Sequence, residues 1–209
     1  MQKRTENLRA GEIAGQKISL DEVVQRAQSR LLSSQAEDGH WAFPLEADVT
    51  ITAEYILLNH YLGEINDEVE AKLANYIRRI QGEHGGWPLY HGGDLNVSAS
   101  VKAYFALKLS GDDPEAPHMI KARDAILAHG GAKETNVFTR ITLALFDLVP
   151  WRATPVTRIE VLYAPKWFPL HINKVSYWTR TVTVPLLILT ALRPKAKNPR
   201  NIMIDELFT

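Results

Sequence analysis

The 209-residue sequence contains no cysteine, and this absence excludes structural disulfides, cysteine-ligated zinc sites and a cysteine nucleophile. The 24 Lys and Arg residues balance 24 Asp and Glu residues, so no charge excess indicates a nucleic-acid partner. The first 20 residues lack an apolar core segment, so no signal peptide is predicted. No apolar run reaches the roughly 18–20 residues of a membrane-spanning helix.

Metal-ligand spacings are also missing. None of the seven histidines belongs to an H-x-x-x-H or H-E-x-x-H pattern, and no D-D-x-x-D motif occurs. The glycine pairs are not followed by the lysine of a phosphate-binding loop. The sequence therefore predicts neither a metal site nor a cofactor.

Apolar residues recur at helical spacing through most of the chain. Seven segments are predicted to be helical: 20–35, 48–61, 67–81, 96–110, 118–129, 135–148 and 174–192. Prolines break the stretch 150–171, which is predicted to be loop with at most a short helix, and Pro185 could kink the last helix.

Local signals mark several helix ends. Ser19 followed by Glu22 three residues later is the pattern of a capping box, and Gly63 stands where a helix-ending glycine would. The predicted helix 48–61, which ends before Gly63, places four large apolar residues on one side: Ile51, Tyr55, Leu58 and Tyr61.

A turn motif occurs twice, each time after an amphipathic helix and before another helix. The two copies read Gln-x3-Gly-x-Trp, with Gln35, Gly39 and Trp41 in the first and Gln81, Gly85 and Trp87 in the second. Their tryptophans are 46 residues apart, which is the length of a helix-pair repeat. The glycines permit positive φ, the tryptophans bury a large face, and the glutamine amides can satisfy helix-end groups. A third turn, at 129–131, keeps the glycines but not Gln or Trp.

This motif is the QW repeat of triterpene cyclases, and the surrounding sequence resembles bacterial squalene-hopene cyclases. The matching stretches follow the order of that family: 38–41, 45–48, 53–58, 85–90, 98–108, 137–140, 167–172 and 177–180. The resemblance implies an all-α fold of α/α-barrel (toroid) helix pairs, incomplete relative to the full family fold. Residues 1–18 would form an N-terminal extension and 19–209 the N-terminal part of the cyclase domains.

The family reaction is the protonation-initiated polycyclisation of squalene to hopene or hopanol, an isomerase reaction of triterpenoid biosynthesis. Its general acid belongs to a D-x-D-D motif, which this sequence lacks; Asp112-Asp113 precedes Pro114 and is predicted to form a turn. We therefore expect no catalytic residue in this chain and no activity from the chain alone. We expect the chain to be a fragment, a truncated product or half of a split protein. A helical subunit that assembles with a separate C-terminal catalytic chain is an alternative, and an unrelated helical-repeat scaffold is another.

The resemblance also implies cavity residues, each with a simpler alternative. Trp178 is expected to line the cavity or to pack between helices, and Glu54 to support the cavity or to form a salt bridge at its rim. Phe138 is expected near the cavity or in the core, with Arg140 nearby in a structural ion pair. Val175 is expected near the substrate entrance. The sequence departs from some family members at two further positions, Lys102 and Thr142.

The implied partners are a squalene-like polyene and the membrane surface. The family is monotopic, so the basic segment 193–200 could touch anionic lipid headgroups or could be a solvated linker. The expected location is the cytoplasmic face of a bacterial membrane. An incomplete helical barrel leaves apolar faces uncovered, so we also expect association, either as a homodimer or with a complementary C-terminal chain.

Overall fold

A computed structural model describes residues 10–13, 16–42, 47–155, 158–169 and 171–208, with side chains described from Ser19 onward. The chain divides into two compact units, Met1–Glu46 and Ala47–Thr209. Seven α-helices, together with short 3-10 helices, account for most of the described residues, so the predicted all-α class is confirmed. One short hairpin is the exception within the described part of the chain.

The first unit contains that hairpin and one helix. Strand β1 (Ala10–Ile13) pairs antiparallel with β2 (Gln16–Ser19), and α1 (Leu20–Ser33) follows directly. The Ser19 hydroxyl accepts a hydrogen bond from the Glu22 amide, as the capping signal predicts. The Glu22 carboxylate accepts from Arg26 one turn later, which adds an exposed ion pair to the first turns of the helix.

The second unit contains the other six helices. They are α2 (Val49–Leu62), α3 (Asp67–Arg79), α4 (Val97–Leu109), α5 (Pro117–Ala128), α6 (Val137–Leu145) and α7 (Tyr177–Leu192). Helix α4 is the centre of this unit, because α2, α3 and α5 all pack against it. Eleven of its thirteen residues are buried, including Tyr104, Phe105 and Leu107. Small residues such as Ala99, Ala103 and Ala106 are fully buried on the same helix, as close helix packing requires.

Helix ends follow local sequence signals. The side chains of Asp48, Asn66, Asn96 and Asn136 each accept from a backbone amide in the first turn of α2, α3, α4 and α6. Gly63 ends α2 with φ of 67°, the left-handed conformation that the sequence predicts there.

The last two helices are shorter than the predicted segments. Helix α6 begins after Asn136 and α7 after Ser176, because each of these side chains caps the first turn. Residues 172–174 form a separate 3-10 turn, and the 150–171 stretch contains two more, Trp151–Ala153 and Ile159–Tyr163. Pro185 lies inside α7.

Residues 193–208 form a strap along the helix ends of the second unit. The backbone amide of Ala196 donates to Leu145 O, and the amides of Lys197 and Asn198 donate to Tyr61 O and His60 O. Ile204 and Leu207 are fully buried in the core. Within 193–200 the backbone is thus attached to the second unit, while most of the side chains are exposed.

Among the described residues, no helix is both long and apolar enough to span a membrane.

Candidate functional site

The two QW turns are built from the same hydrogen bonds. In the first, the Gln35 amide donates to Gly39 O (2.7 Å) and the Trp41 indole N–H donates to Leu31 O (2.7 Å), ten residues back. In the second, Gln81 donates to Gly85 O (2.6 Å) and Trp87 donates to Ile77 O (2.8 Å), also ten residues back. Both central glycines have positive φ, 89° and 93°. The repeat is thus one structural unit used twice to close the end of a helix.

The second turn is packed against a further helix of its own unit. The Gln81 amide also donates to His118 O at the start of α5 (2.9 Å). A Cβ on Gly85 would lie 2.6 Å from Lys121 O, so the turn and α5 touch through backbone. Trp87 is fully buried, whereas Trp41 of the first turn is half exposed.

Glu54 and Lys102 form a salt bridge between α2 and α4. The ammonium of Lys102 donates to the Glu54 carboxylate at 2.6 Å, and the side chains are 8% and 48% exposed, respectively. Glu54 therefore forms a salt bridge, and its place beside a cavity stays a prediction. The lysine stem crosses the packed interface and holds the carboxylate at the solvent side of α2.

The surface around Glu54 is apolar. Ile51, Tyr55, Leu58 and Leu62 recur at helical spacing on the same side of α2, and each is between about 40% and 60% exposed. Helix α2 instead packs against α4 and α3, and its buried residues are Val49, Ala53, Ile56, Leu57 and His60. Of the predicted side, Ile51, Tyr55 and Leu58 face solvent, whereas Tyr61 is partly buried against the core.

Phe138 and Arg140 lie in α6, close to the start of α4. Asn136 precedes them, and its backbone N–H donates to the Ser98 hydroxyl. Ser98 lies one helical turn before Lys102 in α4. Phe138 is half exposed, so the core interpretation is wrong. The ion pair expected for Arg140 is also wrong: no salt bridge of the described residues includes it, and its buried Nε has no hydrogen-bond partner.

Trp178 and Val175 lie elsewhere in the chain, at the start of α7. Trp178 is 70% exposed and Val175 is partly buried. No hydrogen bond or ring contact within the described ranges joins either residue to Glu54 or Phe138. Glu54 and the helix of Phe138 are thus each linked to α4, the first through Lys102 and the second through Ser98.

Asp112 is a buried acceptor rather than a simple turn residue. Its carboxylate accepts from Arg78 Nε (2.9 Å) and lies 2.6 Å from His118 Nε2, and thereby links α3 to the α4–α5 connection. Burial alone would raise the pKa of Asp112, but the hydrogen bonds from Arg78 and His118 outweigh it, so the pKa is lowered.

A second buried network joins the strap to α2, α3 and α4. Arg200 donates to Glu70 (2.6 Å), Asp67 (2.8 Å) and Leu109 O (2.5 Å), and Glu70 also lies 2.8 Å from His60 Nε2. Burial lowers the pKa of His60 below 6.5, against the opposing hydrogen bond with Glu70. No sequence pattern predicts this network, because its members are up to 140 residues apart; the only local signal is a cationic tail.

A third network fixes the end of the strap. Glu206 accepts from Tyr104 (2.9 Å) and from Lys108 (2.5 Å), and Lys108 also donates to Met203 O. Burial, with a contribution from Glu206, raises the pKa of Tyr104 well above its usual value. In the part of the chain that the structure describes, no three acidic or histidine side chains converge as a metal site would require.

Comparison with known proteins identifies the family. The model of the squalene-hopene cyclase N-terminal domain matches residues 24–209. The chain belongs to this family. It is 60% identical over 190 residues to the squalene–hopene cyclase of Zymomonas mobilis, covering 90% of this chain and 29% of that protein.

Two further relatives extend the comparison. The squalene–hopene cyclase of Bradyrhizobium diazoefficiens is 56% identical over 207 residues, covering 97% of this chain and 31% of that protein. That of Alicyclobacillus acidocaldarius is 35% identical over 186 residues, covering 89% of this chain and 30% of that protein. The chain thus spans less than a third of the length of these curated relatives.

Proposed function

We propose that this chain contributes the N-terminal part of a squalene-hopene cyclase, an isomerase of hopanoid and other triterpenoid biosynthesis. The reaction would be the protonation-initiated cyclisation of squalene, a polyene dissolved in the membrane. The relatives carry that name, and the match of the chain to the family's N-terminal domain supports the assignment.

The observation that carries the proposal is the exposed apolar side of α2 with one fixed carboxylate in it. A polyene needs an apolar wall that excludes water, and developing carbocations are stabilised by π-faces and by negative charge at a defined place. Tyr55 and Phe138 provide exposed rings, and Lys102 fixes the Glu54 carboxylate next to Tyr55 in the sequence of α2. In this proposal Trp178 and Val175 complete the wall and its entrance.

The chain contains no D-x-D-D motif, so proton donation would come from other residues of the complete enzyme. We therefore expect no hopene or hopanol when the purified 209-residue chain is incubated with squalene and the products are analysed by gas chromatography. Turnover by this chain alone would contradict the proposal that the chain supplies a wall of the cavity but not the general acid.

A second candidate is a helical subunit that assembles with a separate catalytic polypeptide. The exposed apolar side of α2 favours it equally, since such a surface requires a cover. Affinity purification from the source cells with an antibody against this chain separates the two cases. A single longer polypeptide with squalene cyclase activity supports the first, two co-purifying chains with that activity support the second, and an inactive preparation contradicts both.

A further inference from the structure

One fully buried histidine lies where the strap meets α2. The His60 side chain is 0% exposed, and its Nε2 lies 2.8 Å from the carboxylate of Glu70 in α3, which is also buried. The His60 backbone carbonyl accepts a hydrogen bond from the Asn198 amide of the strap. His60 belongs neither to the apolar side of α2 nor to the salt bridge of Glu54 with Lys102, so the proposed function leaves it without a role.

The hydrogen bonds of the imidazole define which nitrogen carries its proton. A carboxylate only accepts, so Nε2–H donates to Glu70 and Nδ1 keeps its lone pair. Nδ1 is buried and has no hydrogen-bond partner among the described residues. A second proton would therefore create a buried cationic N–H at Nδ1 without an acceptor in this part of the chain.

The Glu70 carboxylate already has a cation. Arg200 of the strap donates to Glu70 at 2.6 Å and to Asp67, also in α3, at 2.8 Å. A protonated His60 would place a second cation at the same carboxylate, and the two cations would repel each other. Protonation of His60 thus weakens the contact through which Arg200 holds the strap.

The remaining elements around His60 add no charge to this contact. The ionisable side chains of α4 are bound to other residues: Lys102 to Glu54, and Tyr104 and Lys108 to Glu206. The stem of Lys197 in the strap lies beside Gly63, since an added Cβ there would be 2.8 Å from Lys197 Cδ. The charges that act on His60 are those of Glu70, Arg200 and Asp67.

The strap is the element that can yield when His60 is protonated. The Arg200 side chain is one-third exposed, so it reaches water with less rearrangement than the two buried side chains. Residues 196–198 are held by three backbone hydrogen bonds, and most side chains of 193–200 are exposed. Segments with few buried side chains open locally at a smaller cost in free energy than core helices do.

We propose that the His60–Glu70–Arg200 cluster is a pH-sensitive latch, in which protonation of His60 releases residues 196–200 from the ends of α2, α4 and α6 while the helices stay folded. The buried Ile204 and Leu207 keep the end of the strap anchored. The latch involves no substrate and no residue outside this chain, so it does not rest on the proposed function.

The direction of the pH dependence follows from burial. Burial lowers the pKa of His60 below 6.5 despite the hydrogen bond with Glu70. When the strap opens and water reaches the imidazole, its pKa returns toward the ordinary value, so a proton binds the open form more tightly. The latch is therefore closed above about pH 6.5 and opens as the pH falls through the lower pKa of the closed form.

Amide hydrogen exchange of the 209-residue chain, followed by NMR, tests the latch. Protection factors of the Ala196, Lys197 and Asn198 amides are corrected for the intrinsic pH dependence of exchange and compared at pH 7 and pH 5. We expect them to fall by about fivefold or more. Strap protection should be lower than that of the α4 amides and insensitive to low urea concentrations, because local opening exposes little surface. The midpoint of strap opening should coincide with the titration of the His60 imidazole.

Two glutamine variants provide the matched comparison. His60→Gln keeps an amide donor for Glu70 but takes up no proton, so its strap protection should be equal at pH 7 and pH 5. His91→Gln changes an exposed histidine and should keep the fall seen in the parent chain. Circular dichroism at pH 7 shows whether each variant retains its helices. If His60→Gln does not, the two midpoints in the parent chain decide.

Three results would each overturn the latch. The first is strap protection that does not change with pH, or that falls equally in a folded His60→Gln variant. The second is strap exchange with the same protection and urea dependence as α4, which would mean that the strap opens only when the whole unit unfolds. The third is an opening midpoint that differs from the titration midpoint of His60.

Discussion

Gly85 is the residue at which the second QW turn meets another helix. Its φ of 93° favours glycine, and an added Cβ would lie 2.6 Å from Lys121 O and 3.1 Å from Ala125 Cβ. Gly92 also has positive φ, 72°, but nothing lies within 4 Å of the position of its Cβ. The two glycines thus share backbone strain and differ in packing.

We expect Gly85→Ala to destabilise the protein by about 1–3 kcal/mol more than Gly92→Ala, because only the first forces α5 away from the turn. Urea unfolding followed by far-UV circular dichroism measures the difference. Equal destabilisation by the two variants would show that the contact with α5 contributes nothing.

His60 is a buried titratable residue whose neighbours are Glu70, Asp67 and Arg200. Burial is the largest cause of its pKa shift and lowers the pKa below 6.5, so the His60 imidazole binds a proton less tightly in the folded protein than in the unfolded chain. The contribution of His60 to stability is therefore complete above about pH 6.5. It is lost as the pH falls through the lower pKa of the folded state.

We expect the melting temperature to decrease between pH 7 and pH 5 in the unmodified chain and to change less in His60→Gln, which keeps an amide donor for Glu70. Hydrogen bonds lower the pKa of the Asp112 and Glu206 carboxyls below the usual range of such groups, so these two residues affect stability only at more acidic pH. A steeper decrease in His60→Gln would contradict the assignment.

Arg200 links the strap to α3 and to the end of α4. Replacing Arg200 by methionine would remove donors to Glu70, Asp67 and Leu109 O, and would leave the Glu70 carboxylate buried with only His60 beside it. The Lys195–Asp147 pair of the same strap is exposed on both sides.

We expect Arg200→Met to lower the free energy of unfolding by about 2–3 kcal/mol, since a buried carboxylate loses its cation while the arginine itself is only one-third exposed. Lys195→Met should cost less than about 1 kcal/mol. Urea unfolding of both variants and the parent chain provides the comparison, and similar values for the two would show that the strap is not fixed through Arg200.

Elements defined by local signals could be predicted from the sequence, and their packing partners could not. The Ser19 cap, the Gly63 terminus and both QW turns depend on residues within a few positions of one another, and all form as the patterns indicate. Helix α2 is apolar on more than one side, so periodicity alone could not decide which side packs on α4.

The same limit applies to the candidate site. The sequence singled out Glu54 and Lys102 separately, but their salt bridge joins residues 48 positions apart. The His60–Glu70–Arg200 network is more distant still. Such contacts follow from the arrangement of whole helices, and no spacing within one segment encodes them.

At the scale of the whole molecule, one side of α2 presents apolar side chains to solvent. The row Ile51, Tyr55, Leu58 and Leu62 runs the length of α2, and only the carboxylate of Glu54 interrupts it. A contiguous apolar face of this kind is usually covered by another protein surface or by a ligand. A second copy of the chain is one surface that would cover it.

We therefore expect the isolated chain to associate as its concentration rises, and Leu58→Lys to shift it toward monomer by placing a charge in the middle of the apolar row. Ala71→Lys, on an exposed position of α3, is the matched control and should leave association unchanged. Sedimentation velocity over a concentration series measures the distribution. A chain that stays monomeric throughout, or that responds equally to both substitutions, would show that this side of α2 needs no cover, and the argument for a cavity wall there would lose its structural basis.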